Sequence, residues 1–493
     1  MMLIDFRPHA RLRADKPVDL MASVAPVVAA LVDSGRDLAR VRVVCDWVQY
    51  RDNFRDVVDA RPILSAPGRG TVPTPAGIRQ EDLEVAVDVR RGGEVALGGL
   101  AAACLRDGSG ERAYLEDWGL GSAGCVWAFN ALYWTALELW EKASGRGYEQ
   151  ALPGGESDAR NLDSARGVIN DLFDVWDSLA SSAALPEELV VVELGVGNGH
   201  QAKVFLDEFR RADQARGGDY YRRLHYLMCD YSQHVLDLAG ETVADHAGRV
   251  SSVTLDATRP LTSLGFLKYK VFLVYVSNVY DNLPTDEVAQ IGGRTYGVET
   301  RAYLPAAAAA TLADSVSATP DQVPALVHKL LRLGPQLLTD AAPAHFPDVD
   351  TAVTFWRQAW SMLRLEERYA PLAGLDQYAV TGQFTGEALR PLLESGADVR
   401  MHVSNGAVAS FADSLMLLHP YGRLICHDIF VTGVEGYRSQ FRGPGKYDGS
   451  VVNWVNGPLL AHVGRRKGFD VHYEPFRHKS AGNIITMTAQ ARD

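Results

Sequence analysis

Apolar positions follow two rhythms along the 493-residue chain, and the change falls near residue 186. "DLMASVAPVVAALVDSG" (residues 19–35) spaces its apolar residues as a helix does. The proline- and glycine-rich "RPILSAPGRGTVPTPAGIR" then predicts a loop, and the alternating "DLEVAVDVRRGGEVALGG" predicts a β-hairpin turning at Gly92–Gly93. An uncharged stretch, Trp118 to Leu137, reads as a buried helix, and "VINDLFDVWDSLA" as another. Residues 1–185 are therefore expected to form an α+β N-terminal domain.

After that, short strands alternate with helices: "LVVVELG", "LHYLMCD", "VSSVTLD" and "YKVFLVYVSNVYD" as four strands, with "HQAKVFLDEFRRA" and "SQHVLDLAGETVADHA" as helices between them. Continuous apolar strands separated by helices predict an α/β fold with a parallel, Rossmann-like sheet covered on both faces. The alternation pauses over residues 285–400, where "TAVTFWRQAWSMLRLEERYA" reads as helical. It resumes with the helix "VASFADSLMLLHP", a fifth strand "GRLICHDIFV", and a closing antiparallel pair in "FDVHYEPFRH" and "NIITMTAQ". The expected organisation is a sheet domain in two parts, 186–284 and 401–493, with 285–400 as a cap over the carboxyl edge of the sheet, where such folds bind ligands.

Composition narrows the function. The formal charge, 49 − 61 = −12, argues against broad nucleic-acid or anionic-membrane contact and suits a cationic small molecule. The five cysteines form no CxxC pair, which argues against a zinc or disulfide framework and for a reducing, cytoplasmic compartment. The charged N-terminus does not read as a secretion signal. No metal site is expected, and a homodimer is compatible with the chain.

The chemistry gathers at "VVVELGVGNGHQAKVF". Gly195, Gly197 and Gly199 stand between a strand and a helix, where glycines let backbone approach a ligand, with Glu193 two positions before the first. The spacing is not that of a dinucleotide fingerprint, and no Gly-Lys-Ser/Thr follows to make a P-loop. A G-x-G-x-x-G does occur at Gly119, Gly121 and Gly124, but no parallel βαβ unit follows it, so it reads as coincidence.

E-x-G-x-G-x-G after the first strand resembles class I S-adenosylmethionine (SAM) methyltransferases. That resemblance covers roughly residues 188–283 and 405–490. It implies SAM as cofactor, with Glu193 and the three glycines around its methionine part. It also implies Asp230 and the adjoining Tyr231 at the ribose, Asp256 at the adenine amine, and Ser277, Asn278 and Tyr280 beside the transferring methyl. The separation of Glu193 and Asp230, 37 positions, is long, and the polar "RRADQARGGDYYRR" accounts for it as an extended loop.

More narrowly, "SNVYDNLPTDEVAQIGGRTYGVETRAY" (277–303) and "FNALYWTALELWEKA" (129–143) resemble the MidA-like methyltransferases, which carry N-E-F-F-D-A-L-P at the end of the fourth strand; here Val279 replaces the Glu. That family is associated with arginine methylation. A guanidinium offers little nucleophilic lone pair, so catalysis needs carboxylates that grip it bidentately and aim one nitrogen. Asp281 and Glu299 are the expected clamp, and Glu116 and Asp117 are further acids within the N-terminal domain. A cap suits a small acceptor, free arginine or a related biosynthetic cation, over protein arginine. The aromatic group Trp127, Tyr133, Trp134 and Trp140 reads as core. Two other readings stay open: an O-methyltransferase of a small secondary metabolite with His427, His402 or His419 as base, and a non-catalytic SAM-fold assembly factor that binds a partner and transfers no methyl.

Overall fold

The computed structural model describes residues 3–6, 20–48, 50–65, 82–93, 95–106, 111–147, 161–394, 397–439, 443–478 and 483–492. Two large sheets organise them. The first has seven strands in the order Phe469–Pro475, Ile485–Ala491, Leu418–Asp428, Val271–Ser277, Leu189–Leu194, Leu224–Asp230, Val250–Thr254. Five of these are parallel neighbours, and Ile485–Ala491 runs antiparallel between the fifth and sixth strands in chain order. The expected α/β fold with a parallel, Rossmann-like sheet is thus present, its closing antiparallel pair included.

All six residues of Leu189–Leu194 are buried, because both faces are covered. Val190, Val192 and Leu194 pack with helices Asn405–Leu415 and Gly457–Arg466. Leu189 and Val191 pack with helices Leu162–Ser181 and His200–Ala215. Leu162–Ser181, read from sequence with the N-terminal region, therefore serves this sheet; Asn161 caps it by accepting from the N–H groups of Asp163 and Ser164. Its Trp176, fully buried, meets Phe209 and Phe272 edge-on or tilted.

The second sheet has ten strands and draws on both N-terminal and inserted residues. Its path is Leu3–Phe6, Val41–Asp46, Asp82–Asp88, Val58–Ile63, Arg364–Pro371, Arg294–Pro305, Glu287–Ile291, Val399–His402, with Arg112–Tyr114 and Gly119–Leu120 also pairing to Arg294–Pro305. The segment expected as a separate cap is therefore continuous with the N-terminal region: Ile63 pairs with Tyr369, Tyr114 with Tyr303 and Leu120 with Glu299. The reason is edge satisfaction. The long strand Arg294–Pro305 leaves backbone groups over that the short N-terminal strands pair.

Two expectations on these residues need correction. The hairpin at Gly92–Gly93 does not form. Asp82–Asp88 already has a partner on each edge, Val41–Asp46 and Val58–Ile63, so a return strand has no place. The chain turns into a short helix, Val89–Gly92, with Asp88 accepting from the N–H of Arg90, and then into the helix Leu97–Leu105. Likewise only the first part of the helix expected over residues 351–370 is helical (Val349–Met362); Arg364–Pro371 is a strand that buries Leu365, Glu367 and Tyr369 on alternate positions. The uncharged stretch at Trp118 divides into Gly119–Leu120, a 3₁₀ turn and the helix Cys125–Thr135. No helix among the described residues is long and apolar enough to cross a membrane. Tyr133 meets Trp134 and Trp140 edge-on, and Trp140 meets Trp356 in the same way, as core residues do.

Candidate functional site

At the carboxyl end of the first strand the backbone doubles back over the second. The N–H groups of Gly195 and Val196 both donate to the Cys229 carbonyl, at 2.8 and 3.1 Å. Gly195, Gly197 and Gly199 have φ of +75°, +57° and +80°, a region that side chains with a Cβ disfavour. A Cβ on Gly195 would lie 2.3 Å from Val279 Cγ2, and one on Gly199 would lie 2.8 Å from Ala239 Cα. The turn is thus bare backbone, pressed between the fourth strand's exit and a helix.

Asp230 secures the turn. Its Oδ2 accepts from the Gly197 N–H at 3.1 Å and its Oδ1 from the Tyr231 N–H at 2.8 Å. Burial pushes this carboxyl up to about 6, against the N–H groups of Gly197, Ser232 and Tyr231. A carboxylate has about four acceptor sites, so these bonds leave capacity for a hydroxyl. Tyr231 is 40% exposed. Burial raises its phenol, and the charge of Asp256, at the end of the third strand, adds to that; Thr135, the last residue of the helix Cys125–Thr135, lies against it. Asp256 is exposed and accepts from the N–H and hydroxyl of Thr258. These residues share one edge.

Glu193 does not face that edge. It is 2% exposed and accepts from the Tyr226 hydroxyl at 2.6 Å; burial pushes its carboxyl up to about 8. It lies within the layer formed by the first and second strands, beneath the glycine turn rather than in it.

The residues expected to act on an acceptor are divided. Ser277 ends the fourth strand, and Asn278 follows in a left-handed conformation, φ +52°, donating its N–H to the His427 carbonyl. Tyr280 is turned into the core with its ring fully buried and its hydroxyl near Ser410 and Ser414, so it is a packing residue. Asp281 stays at the edge, 7% exposed, with Oδ1 accepting from Asn282 Nδ2 at 2.7 Å. Glu299 is elsewhere: it holds Arg368 at 2.6 Å, and that guanidinium lies over Trp118, 4.5 Å from the ring centre. Glu299 faces the opposite side of its strand from Val298 and Thr300, so the expected Asp281–Glu299 clamp is not formed. Glu116 is also committed, accepting from the N–H groups of Cys125 and Ala302; Asp117 is exposed.

The three candidate histidine bases are placed against that role. His419 sits at the amino end of the fifth strand, stacked on Phe272. His402 lies in the ten-stranded sheet opposite Glu287. His427 is buried between Tyr275 and Phe476 with Nδ1 at Thr486, and burial pulls it down to about 4.

One functional candidate escaped the sequence reading. Asp428 ends the fifth strand, fully buried, and its carboxylate accepts from the N–H groups of Tyr280 (2.9 Å), Asp281 (3.3 Å) and Ile429 (2.7 Å). It fixes the turn that presents Asp281. Burial pushes Asp428 up to about 6, and burial together with the charge of Asp428 pushes Asp281 well above the usual carboxylate range. The signal was available, since Asp230 and Asp256 were found by the same rule of an acid at a strand's carboxyl end. No group of His, Cys, Asp and Glu suited to a metal ion occurs among the described residues.

The helix Cys125–Thr135 bridges the two halves of this edge. Asn130 donates to the Asn282 carbonyl at 2.9 Å, while Thr135 reaches Tyr231, about 7.5 Å further along the helix axis. Gly121 and Gly124, the coincidental fingerprint, let this segment close in: a Cβ on Gly121 would stand 3.0 Å from the Thr285 carbonyl oxygen.

No protein-family model matches the chain, and no curated protein matches it. Among solved structures it is similar to a COG1565 superfamily member from Burkholderia thailandensis bound to S-adenosyl-homocysteine, at 13% identity and TM-score 0.43 over 76% of this chain and 88% of that one. It is also similar to the CcbJ methyltransferase from Streptomyces caelestis (11%, TM-score 0.30, 74% and 99%). A third is the 1,6-didemethyltoxoflavin-N1-methyltransferase from Burkholderia thailandensis with 1,6-didemethyltoxoflavin and S-adenosylhomocysteine bound (12%, TM-score 0.26, 67% and 87%). At these scores the functional reading rests on the geometry of the chain itself.

Proposed function

We propose that this protein is a SAM-dependent methyltransferase whose acceptor is a nitrogen of a small cation, the guanidinium of arginine being the favoured case. The observation that carries the reading is the glycine turn: three consecutive alternate glycines at positive φ, bare toward the carboxyl edge and held by the carboxylate at the end of the second strand. The residues present fit the cofactor. Backbone at Gly195 and Gly197 would meet its methionine part, the remaining acceptor capacity of Asp230 its ribose, and Tyr231 and Asp256 its base, with Ser277 and Asn278 lining the fourth strand's exit. Glu193 would act from beneath, holding the turn through the sheet. When bound, SAM supplies an electrophilic methyl on a sulfonium.

The acceptor side supports a cation. Asp281 and Asp428 are buried together, burial raises both carboxyls, and a positive group beside Asp281 would favour its charged form. The MidA-like segment at 277–303 adds to the arginine reading by resemblance, with Asp281 and not Glu299 as its acid. The helix lying across the edge favours a small acceptor over a protein chain.

The test is incubation with methyl-labelled SAM and a panel of free arginine, arginine peptides, lysine, phenols and carboxylic acids, read by mass spectrometry. Label on free arginine is the expected result; label on a phenol alone would replace the acceptor class. Gly195→Val is expected to abolish SAM affinity in a calorimetric titration, because its side chain would occupy the space of Val279. Unchanged affinity would remove the turn from the cofactor site.

A further inference from the structure

Two buried amide atoms beside Asp281 lack a hydrogen-bond partner. Asn282 spends Nδ2 on Asp281, and its Oδ1 is buried and unpaired. Asn453, 3% exposed, donates its backbone N–H to the Asp281 carbonyl at 2.9 Å and accepts from the Trp454 N–H through Oδ1, leaving Nδ2 buried and unpaired. An unpaired buried amide atom costs roughly 1–3 kcal/mol, and such atoms call for an explanation in whatever completes them. The neighbouring Asn130 shows the contrast. Its Nδ2 donates to the Asn282 carbonyl and its Oδ1 accepts from the Val451 N–H, so its amide is complete.

The acids of the ten-stranded sheet offer no rival site. Glu287 and Glu367 line a cavity of about 30 Å³, which has room for water and not for a substrate. Both are already ion-paired with Arg55 and Arg400.

We propose that Asp281, Asn282 and Asn453 form the acceptor subsite, taking a small cation that offers at least two N–H donors, as a guanidinium does. The proposal rests on the methyltransferase reading and supplies the clamp partners that Glu299 does not. Asn282 Oδ1 and the Asp281 carboxylate accept one N–H each. On binding, Asn453 Nδ2, which has no partner in this structure, turns to the same carboxylate and stabilises its charged form. The titratable groups facing Asp281 are Asp428, at the end of the fifth strand, and the Cys426 thiol; the helix Cys125–Thr135 and the loop carrying Asn453 present amides only. Burial and the charge of Asp428 both raise the Asp281 carboxyl, and a bound cation opposes them, so cation binding favours proton release from this site.

The experiment is calorimetry with arginine and with guanidinium chloride on the full chain saturated with S-adenosyl-homocysteine, repeated in buffers of different ionisation enthalpy. The expected result is arginine binding accompanied by net proton release, read as a dependence of the observed heat on buffer ionisation enthalpy. Asn282→Leu and Asn453→Leu should each weaken binding roughly 10-fold, the value of one hydrogen bond to a charged group. Asn282→Asp, which keeps the shape and adds an acid, should tighten it, so the site stays testable if a leucine variant misfolds. S-adenosyl-homocysteine binding without any cation binding, or cation binding that is equal in all variants, would overturn the subsite. Failure of S-adenosyl-homocysteine itself to bind would instead overturn the methyltransferase reading beneath it.

Discussion

The two sheets bury opposite kinds of interior. The seven-stranded sheet is filled with valine, leucine and aromatic side chains on both faces. The ten-stranded sheet carries a buried ionic network. Glu367, 5% exposed, lies 2.5 Å from Arg55 and 2.9 Å from both Arg61 and Arg400, and Arg61 also meets Glu84, which accepts from the Tyr369 hydroxyl. Such a network adds little net stability, because desolvation offsets the attraction. Its effect is register. The charges come from the N-terminal strands, from Arg364–Pro371 and from Val399–His402, so only one alignment of distant segments satisfies them all.

The largest effect that separates the two interiors should come from removing one member of the network. Glu367→Ala removes the carboxylate that three guanidiniums share and should cost about 3–5 kcal/mol in denaturant unfolding; a loss below 1 kcal/mol would mean the network is dispensable. In the apolar sheet, Val191→Ala removes methyl groups only and should cost roughly 1.5–3 kcal/mol. At the surface, Arg222→Ala breaks an exposed pair with Asp219 and should change stability by less than about 1 kcal/mol.

Acid and base should also tell the sheets apart. Burial raises Glu367, but Arg400, Arg55 and Arg61 outweigh it and hold the carboxyl well below its usual range. Its contribution is present above an unfolded pKa of about 4.3 and is lost as pH falls below that. Glu193 behaves in the opposite sense. Its folded carboxyl is raised to about 8, so the native state binds the extra proton between about 4.3 and 8, and stability falls as pH rises through that window. Hydrogen exchange from pH 6 to 9 should therefore loosen Leu189–Leu194 in the parent chain. Glu193→Gln should abolish that dependence, and its persistence would assign the loosening to another group.

The parallel sheet was legible because its signal is local. Buried strands of five to seven residues, glycines and strand-end acids lie next to one another in the chain, and Gly195, Gly197, Gly199, Asp230 and Asp256 fall where the pattern puts them along one edge. The second sheet was not legible, because its pairings join distant residues. Nothing in "DLEVAVDV" says that its edges are taken by residues 41–46 and 58–63, and nothing in "RLEERYAP" says that Glu367 will find three arginines. Glu299 was misplaced for the same reason. Its partner Arg368 comes from the strand alongside, so the face it occupies is set by pairing and not by spacing. Asn453 lay in a loop with no periodicity to read, and became visible only through an amide atom left unpaired.

The seam between Val58–Ile63 and Arg364–Pro371 also sets a timetable. Ile63 pairs with Tyr369, 306 residues later (369 − 63), an interval of roughly 15–60 s at ordinary rates of synthesis. Until then Val58–Ile63 keeps one edge open, and Arg55 and Arg61 lack the Glu367 carboxylate. The apolar sheet is delayed as well, since its fourth and fifth strands, Val271–Ser277 and Leu418–Asp428, stand on either side of residues 285–400. The chain must therefore remain uncommitted through most of its translation, and ribosome-held chains ending before residue 360 should stay protease-sensitive across residues 41–63 while longer ones become protected.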